Sequence, residues 1–251
     1  MQMLILLPPS ETKRAGGSGA PLDVSALALP GLAPQRAATL DALIALSADD
    51  ELAARVLKLG PTQRDQVAVN RELRTAPTMP AVDRYTGVLF DALDAASLDP
   101  TSRRWLGRHV LVHSAPLGPV GALDAIPAYR LGAGARLPGL PALTTVWADA
   151  VSTAIAGAEP SFVLDLRSEA YVALGPVAGT VPSVYVRVVS GGADGAVRAL
   201  NHFNKHAKGA LVRRLASDRP RIGSARGFLR WAASAGLEAR AGARGEIELF
   251  A

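Results

Sequence analysis

Lysine is scarce in this chain, four residues against 23 arginines, and three of the four sit in two short stretches. Lys13 belongs to SETKR (10–14), and Lys205 and Lys208 to HFNKHAKG (202–209). An ammonium is a compact charge whose pKa shifts readily on burial, which suits it to phosphate contact or proton transfer. On a helix at 100° per residue, His202, Lys205, His206, Gly209 and Arg213 share one face, opposite Phe203, Ala207, Ala210, Leu211 and Leu215, with Lys208 on the border. Gly209 lies within the cationic face at a cost of ~1 kcal/mol relative to alanine, and its bare backbone invites a close approach.

Two further polar clusters follow apolar runs: Ser114, Asp124, Tyr129 and Arg130, and then Asp165, Arg167, Ser168, Glu169 and Tyr171. Asp165 interrupts the apolar run FVLDL, and a buried carboxylate needs a partner, for which Lys13 and Arg130 are the natural choices. If the loops converge, Ser10, Tyr129, Arg130, Ser168, Lys208 and Gly209 form a phosphate or ligand site, with Lys13, Asp124, Asp165 and Lys205 available for acid–base work. Asp124, Tyr129 and Arg130 pegging a long loop to the core is an equal alternative.

Gly and Pro also separate an apolar residue from a helix start in LPGLAPQRAATL (29–40) and LKLGPTQRDQV (57–67). A helix-hairpin-helix turn has this pattern and directs backbone N–H groups at a DNA phosphate, with Arg36 in the first segment, and Lys58, Gly60, Thr62 and Arg64 in the second, as contacts. An ordinary turn with proline at the helix start explains either as well.

No metal or cofactor is expected. Cysteine is absent, no phosphate-loop or dinucleotide fingerprint occurs, and His109 and His113, read as residues of one strand, stand about 13 Å apart at ~3.3 Å per residue. His202 and His206 have no third ligand signalled. The net charge of +5 comes from the C-terminal fifth, where residues 201–251 carry ten basic and four acidic side chains. Anionic partners follow, either nucleic acid or a small anionic ligand. The mean hydropathy of +0.20 comes without an apolar run of membrane-spanning length or a signal sequence, so a cytoplasmic protein without membrane association is expected.

These residues need elements to hold them. Apolar runs predict strands at 3–7, 109–113, 162–166, 181–190 and 246–250, the last at a sheet edge, and helical periodicity marks 34–46, 49–59, 62–73, 86–98, 144–156, 194–215 and 224–235. The order predicts one α/β domain over 1–251: a mixed sheet core with a helical insertion at 25–100 that contains the hairpin-like turn.

The blocks MLILLPPSETKR, RYTGVLFDAL, SAPLGPVGALDAIPAYRL, VWADAVSTAI, VLDLRSEAYVAL and HFNKHAKGALVRRL, in this order, resemble the YaaA family of peroxide stress proteins from Met3 to about Leu215. The family motifs fall on Ser10, Lys13, Tyr85, Gly87, Asp124, Tyr129, Arg130, Trp147, Asp149, Ser168, Glu169, Tyr171, Phe203, Lys205, Lys208 and Gly209. The resemblance implies a DNA-binding protein of the oxidative stress response, with an unusual α/β fold, a helix-hairpin-helix and a basic cleft. After Leu215 the sequence departs from the family pattern.

Overall fold

The computed structural model describes residues 2–191, 197–198 and 201–250. In chain order the elements are β1 (Met3–Leu7), α1 (Ala33–Leu46), α2 (Asp50–Val56), α3 (Gln66–Arg71), β2 (Met79–Pro80), α4 (Ala81–Arg84), α5 (Val88–Leu93), α6 (Pro100–His109), β3 (Val110–Ser114), β4 (Gly118–Gly121) and β5 (Ala125–Ile126). There follow α7 (Leu143–Gly157), β6 (Phe162–Asp165), α8 (Glu169–Val172), β7 (Ser183–Gly191), β8 (Val197–Arg198), α9 (Asn201–Asp218), α10 (Ala225–Ser234), β9 (Ala239–Ala241) and β10 (Glu246–Phe250).

The main sheet runs β4-β3-β1-β6-β7-β10-β9, with β8 against β7. β3, β1, β6, β7 and β10 are mutually parallel, while β4 and β9 pair antiparallel on the outside. This is a mixed α/β sheet, and the apolar runs read as strands are its parallel centre. Met3–Leu7 and Phe162–Asp165 are buried at every position, as expected for strands covered on both faces by helices. Because β1 lies between β3 and β6, the C-terminal ends of three strands open onto one side, where α/β proteins place their ligands.

Three expectations are corrected. β10 is not at the edge, because β9 pairs along its outer side. His109 is the last residue of α6 rather than a strand residue, and its ring stacks 4.1 Å from Trp105, so it shares no strand face with His113. α6 itself begins with Asp99 accepting from Thr101 and Ser102 N–H groups and with Pro100 in the first turn, a standard helix start. The predicted helix from Asp194 starts later, because Val197–Arg198 is strand β8 and α9 is described from Asn201; residues 194–196 and 199–200 and the side chain of His202 lie outside the described residues.

Long loops need their carbonyls satisfied, and three fully buried arginines do much of this. Arg36 donates to the carbonyls of Ala28, Leu117 and Pro119, and Arg84 to those of Arg14, Pro77 and Ile126. Arg167 donates to the Tyr171 and Gly175 carbonyls and to the Asp165 carboxylate. Leu40, Leu43 and Val67 of the helical segment join Ile5 and Leu164 in the same apolar core. Among the described residues no helix is long and apolar enough to cross a membrane.

Candidate functional site

The loop leaving β1 at Pro8 and Pro9 is stitched to residues 84–87. Arg14 N–H donates to the Arg84 carbonyl, Thr86 N–H to the Thr12 carbonyl and Thr12 Oγ1 to the Thr86 carbonyl. Gly87, at φ 93°, is needed here twice over: the conformation is left-handed, and an added Cβ would stand 3.2 Å from Thr12 Oγ1 and 3.4 Å from Ser10 Oγ.

This stitching sets Lys13 on two phenols. Its Nζ donates to the carbonyls of Ser10 (3.0 Å) and Glu11 (3.2 Å), and lies 4.0 Å from the centre of the Tyr129 ring and 5.5 Å from that of Tyr85. The two phenol oxygens are hydrogen-bonded to each other at 2.8 Å. Burial, then the Arg130 guanidinium, bring the Lys13 ammonium down to a pKa of about 7, against an opposing pull from Glu11. Burial also raises both tyrosines, which therefore remain neutral phenols.

Lys13 lines a cleft of about 580 Å³ shared with Ser10, Glu11, Arg130, Tyr171 and Lys58. Arg130 is presented by α3: buried Asn70 accepts from its backbone N–H at 2.7 Å and donates to its carbonyl at 2.9 Å. Its guanidinium reaches the Glu11 carboxylate at 3.2 Å. Lys58 is exposed and holds a left-handed φ of 54° in the turn between α2 and α3. Residues of the β1 loop and of the hairpin-like turn, read from the sequence as separate features, thus line one cleft.

The remaining turn residues are otherwise engaged. The Gly60 N–H donates to Gln63 Oε1 at 3.2 Å, Arg64 forms an ion pair with Glu51, and Thr62 is exposed beside them. In the earlier segment Arg36 has no access to a phosphate, since it is wholly buried against the turn that enters β4, where burial lowers its pKa to about 10.

Asp165 and Lys208 lie outside this cleft, in a second cluster. Asp165 pairs with Arg167 through two hydrogen bonds of 2.9 and 2.6 Å, so its partner is neither Lys13 nor Arg130. Arg167 also bonds His113 Nδ1 at 2.9 Å, and burial holds His113 neutral. Buried Lys208 donates to the Arg167 carbonyl at 3.4 Å and lies 5.5 Å from the Tyr185 ring; burial lowers its pKa to about 8, while Asp165 partly restores it. Asp165, Tyr185, Arg187, Glu169 and Glu246 line a second depression of about 480 Å³.

The other expected site residues are placed differently. Asp124 accepts from the backbone N–H groups of Ala28 (2.7 Å) and Gly121 (2.8 Å), which makes it the peg of the long loop. Ser168 caps α8 with its backbone and is exposed, and Lys205 is exposed and lines neither cleft. Gly209 is covered: an added Cβ would collide with the Leu89 carbonyl oxygen, so the close approach it permits is that of α5. Phe203, expected on the core side of α9, is 60% exposed. Reading the sequence by residue type also passed over Gln63, and brought in Tyr85 only through the family motif; the YTG triplet, with glycine in the left-handed region, was the available signal.

A mixed α/β sheet with a lysine, an arginine and two phenols gathered beside its strand ends defines an α/β protein with a polar cleft. The chain belongs to the peroxide stress protein YaaA family, which it matches over residues 3–234. It is similar to a UPF0246 protein of Corynebacterium efficiens, 46% identical over 219 residues covering 86% of this chain and 85% of the relative. UPF0246 proteins of Streptomyces coelicolor, at 46% identity over 85% of this chain and 82% of the relative, and of Corynebacterium glutamicum, at 43% over 94% of each, are similar too. The family match extends through α10, beyond Leu215, where the sequence had looked divergent.

Proposed function

We propose that this member of the peroxide stress family binds DNA through its phosphates in the Lys13 cleft, with one nucleotide entering it. The carrying observation is that Lys58, on the turn after α2, faces the same cleft as Lys13 and Arg130. A volume of about 580 Å³ lies within the ~300–1,000 Å³ range of small-ligand sites, so it suits a single nucleotide rather than a duplex. Tyr171, half-buried in the lining, offers a ring for stacking, and Arg130 and Lys58 offer cations to the flanking phosphates.

The test is a titration of single-stranded and duplex oligonucleotides across salt concentrations. Binding should weaken steeply with salt, and Lys58→Ala should lower the slope by about one phosphate contact without altering stability. A salt-independent result with both forms ends this reading.

A second reading, an enzyme for a small phosphorylated or nucleoside-like substrate, is favoured by the internal pairing of the Gly60 amide and the Arg64 guanidinium, which leaves the turn little to offer a DNA backbone. Binding of a nucleoside monophosphate in preference to any oligonucleotide would favour it.

A further inference from the structure

Phosphate binding accounts for Arg130 and Lys58, yet it does not account for the position of Lys13. A lysine serving only as a counter-charge is best kept hydrated and cationic. Lys13 is instead half-buried in the cleft lining, where it meets the Tyr129 ring and two carbonyls and has the Arg130 guanidinium as a charged neighbour. Desolvation and a second cation are the means by which a lysine becomes a nucleophile at neutral pH. Two N–H bonds donated to the Ser10 and Glu11 carbonyls fix the nitrogen while leaving a neutral amine its lone pair.

We propose that Lys13 Nζ condenses with the aldehyde of a phosphorylated, base-free deoxyribose held in the cleft. The proposal rests on the phosphate-binding reading above. In the ring-opened sugar the C1′ carbonyl carbon accepts the nitrogen lone pair to give a carbinolamine. The two amine protons pass to the carbonyl oxygen, which leaves as water, and a C1′=N double bond replaces C1′=O. The Glu11 carboxylate, which lines the same cleft and accepts from Arg130, carries a proton between nitrogen and oxygen in this scheme. No oxidant or reductant is consumed. Arg130 with Lys58, both on the lining of the cleft, holds the phosphates on either side of the sugar.

The aldehyde has two sources, an abasic site within DNA or free deoxyribose 5-phosphate, and one experiment separates them. The full chain is incubated with sodium cyanoborohydride and a labelled oligonucleotide carrying one abasic site, with an undamaged oligonucleotide, with a tetrahydrofuran analogue that lacks the aldehyde, or with deoxyribose 5-phosphate. A reduced covalent adduct is expected with the abasic oligonucleotide and not with the undamaged or tetrahydrofuran forms. Peptide mapping should place the added mass on Lys13, a clear assignment since the chain has only three other lysines. Lys13→Arg should abolish the adduct, and mapping on the unsubstituted protein keeps the result decisive if that variant misfolds. An adduct with the free sugar phosphate alone overturns the DNA source. Salt-sensitive binding of undamaged DNA with no adduct from either source, or an adduct on another amine, overturns the proposal and leaves the binding reading standing. Failure to bind any oligonucleotide, with or without an adduct, ends the binding reading itself.

Discussion

The ammonium of Lys13 lies 4.0 Å from the centre of the Tyr129 ring, inside the cleft and over an edge-to-face pair of tyrosines. The negative ring face stabilises the cation, in opposition to burial and the Arg130 charge. Tyr129→Leu should therefore lower the Lys13 pKa further below about 7. Titration of isotope-labelled lysine followed by NMR, with four side chains to resolve, reads this directly; an unchanged or raised value would show that the ring contributes nothing.

Stability should increase from pH 7 to about 9.5. Lys13 and Lys208 have folded-state pKa values of about 7 and about 8 against an ordinary 10.5, so over this range the unfolded chain binds more protons than the folded one. Folding then gains at most ~1.4 kcal/mol per pH unit for each lysine. Above pH 10 the sign reverses, because Tyr85 and Tyr129 hold their protons only when folded. Urea midpoints across pH, compared with those of Lys13→Met, give the lysine contribution; a flat profile over pH 7–9.5 would contradict it.

Asp165→Asn should cost ~3–5 kcal/mol, the range for breaking a buried pair, since Arg167 and Lys208 would be left as two buried cations without their carboxylate. Asp124→Asn, which weakens two bonds from backbone N–H groups, should cost less, ~1–3 kcal/mol. Denaturant unfolding of the two variants compares them, and the reverse ranking would assign the structural weight to the loop instead.

Gly209→Ala sets two effects against each other. Helix propensity gains ~1 kcal/mol, whereas the new methyl meets the Leu89 carbonyl and a neighbouring Cβ at Ala92. Backbone contact cannot relax by rotating a side chain, so a net loss of ~1–3 kcal/mol is expected from overpacking. A thermal melt checks it, and a gain in stability would mean that α5 and α9 move apart freely.

The central strands were legible because continuous apolar runs such as Met3–Leu7 and Phe162–Asp165 have few alternatives to a covered parallel sheet. β4 was not, since Gly-Pro-Val-Gly reads as loop and is made a strand by pairing with Val112 and His113. Lys13, Tyr129 and Arg130 were recognisable by type. Asp165 was matched to distant cations because residues two apart on a strand share a face without meeting, yet the strand ends at Asp165 and the chain bends Arg167 back onto it. Gly209 shows the same limit: a helical wheel reveals a gap in a face but not whether a ligand or another helix fills it.

The buried arginines at 36, 84 and 167 change what counts as a conservative replacement in this chain. Each guanidinium spans several acceptors at once from separate loops, a reach that an ammonium on a flexible stem does not reproduce. At these positions drift between the two basic residues, ordinarily neutral on a surface, is closed off. Part of the imbalance between arginine and lysine is therefore architectural, a record of which loops the chain must hold.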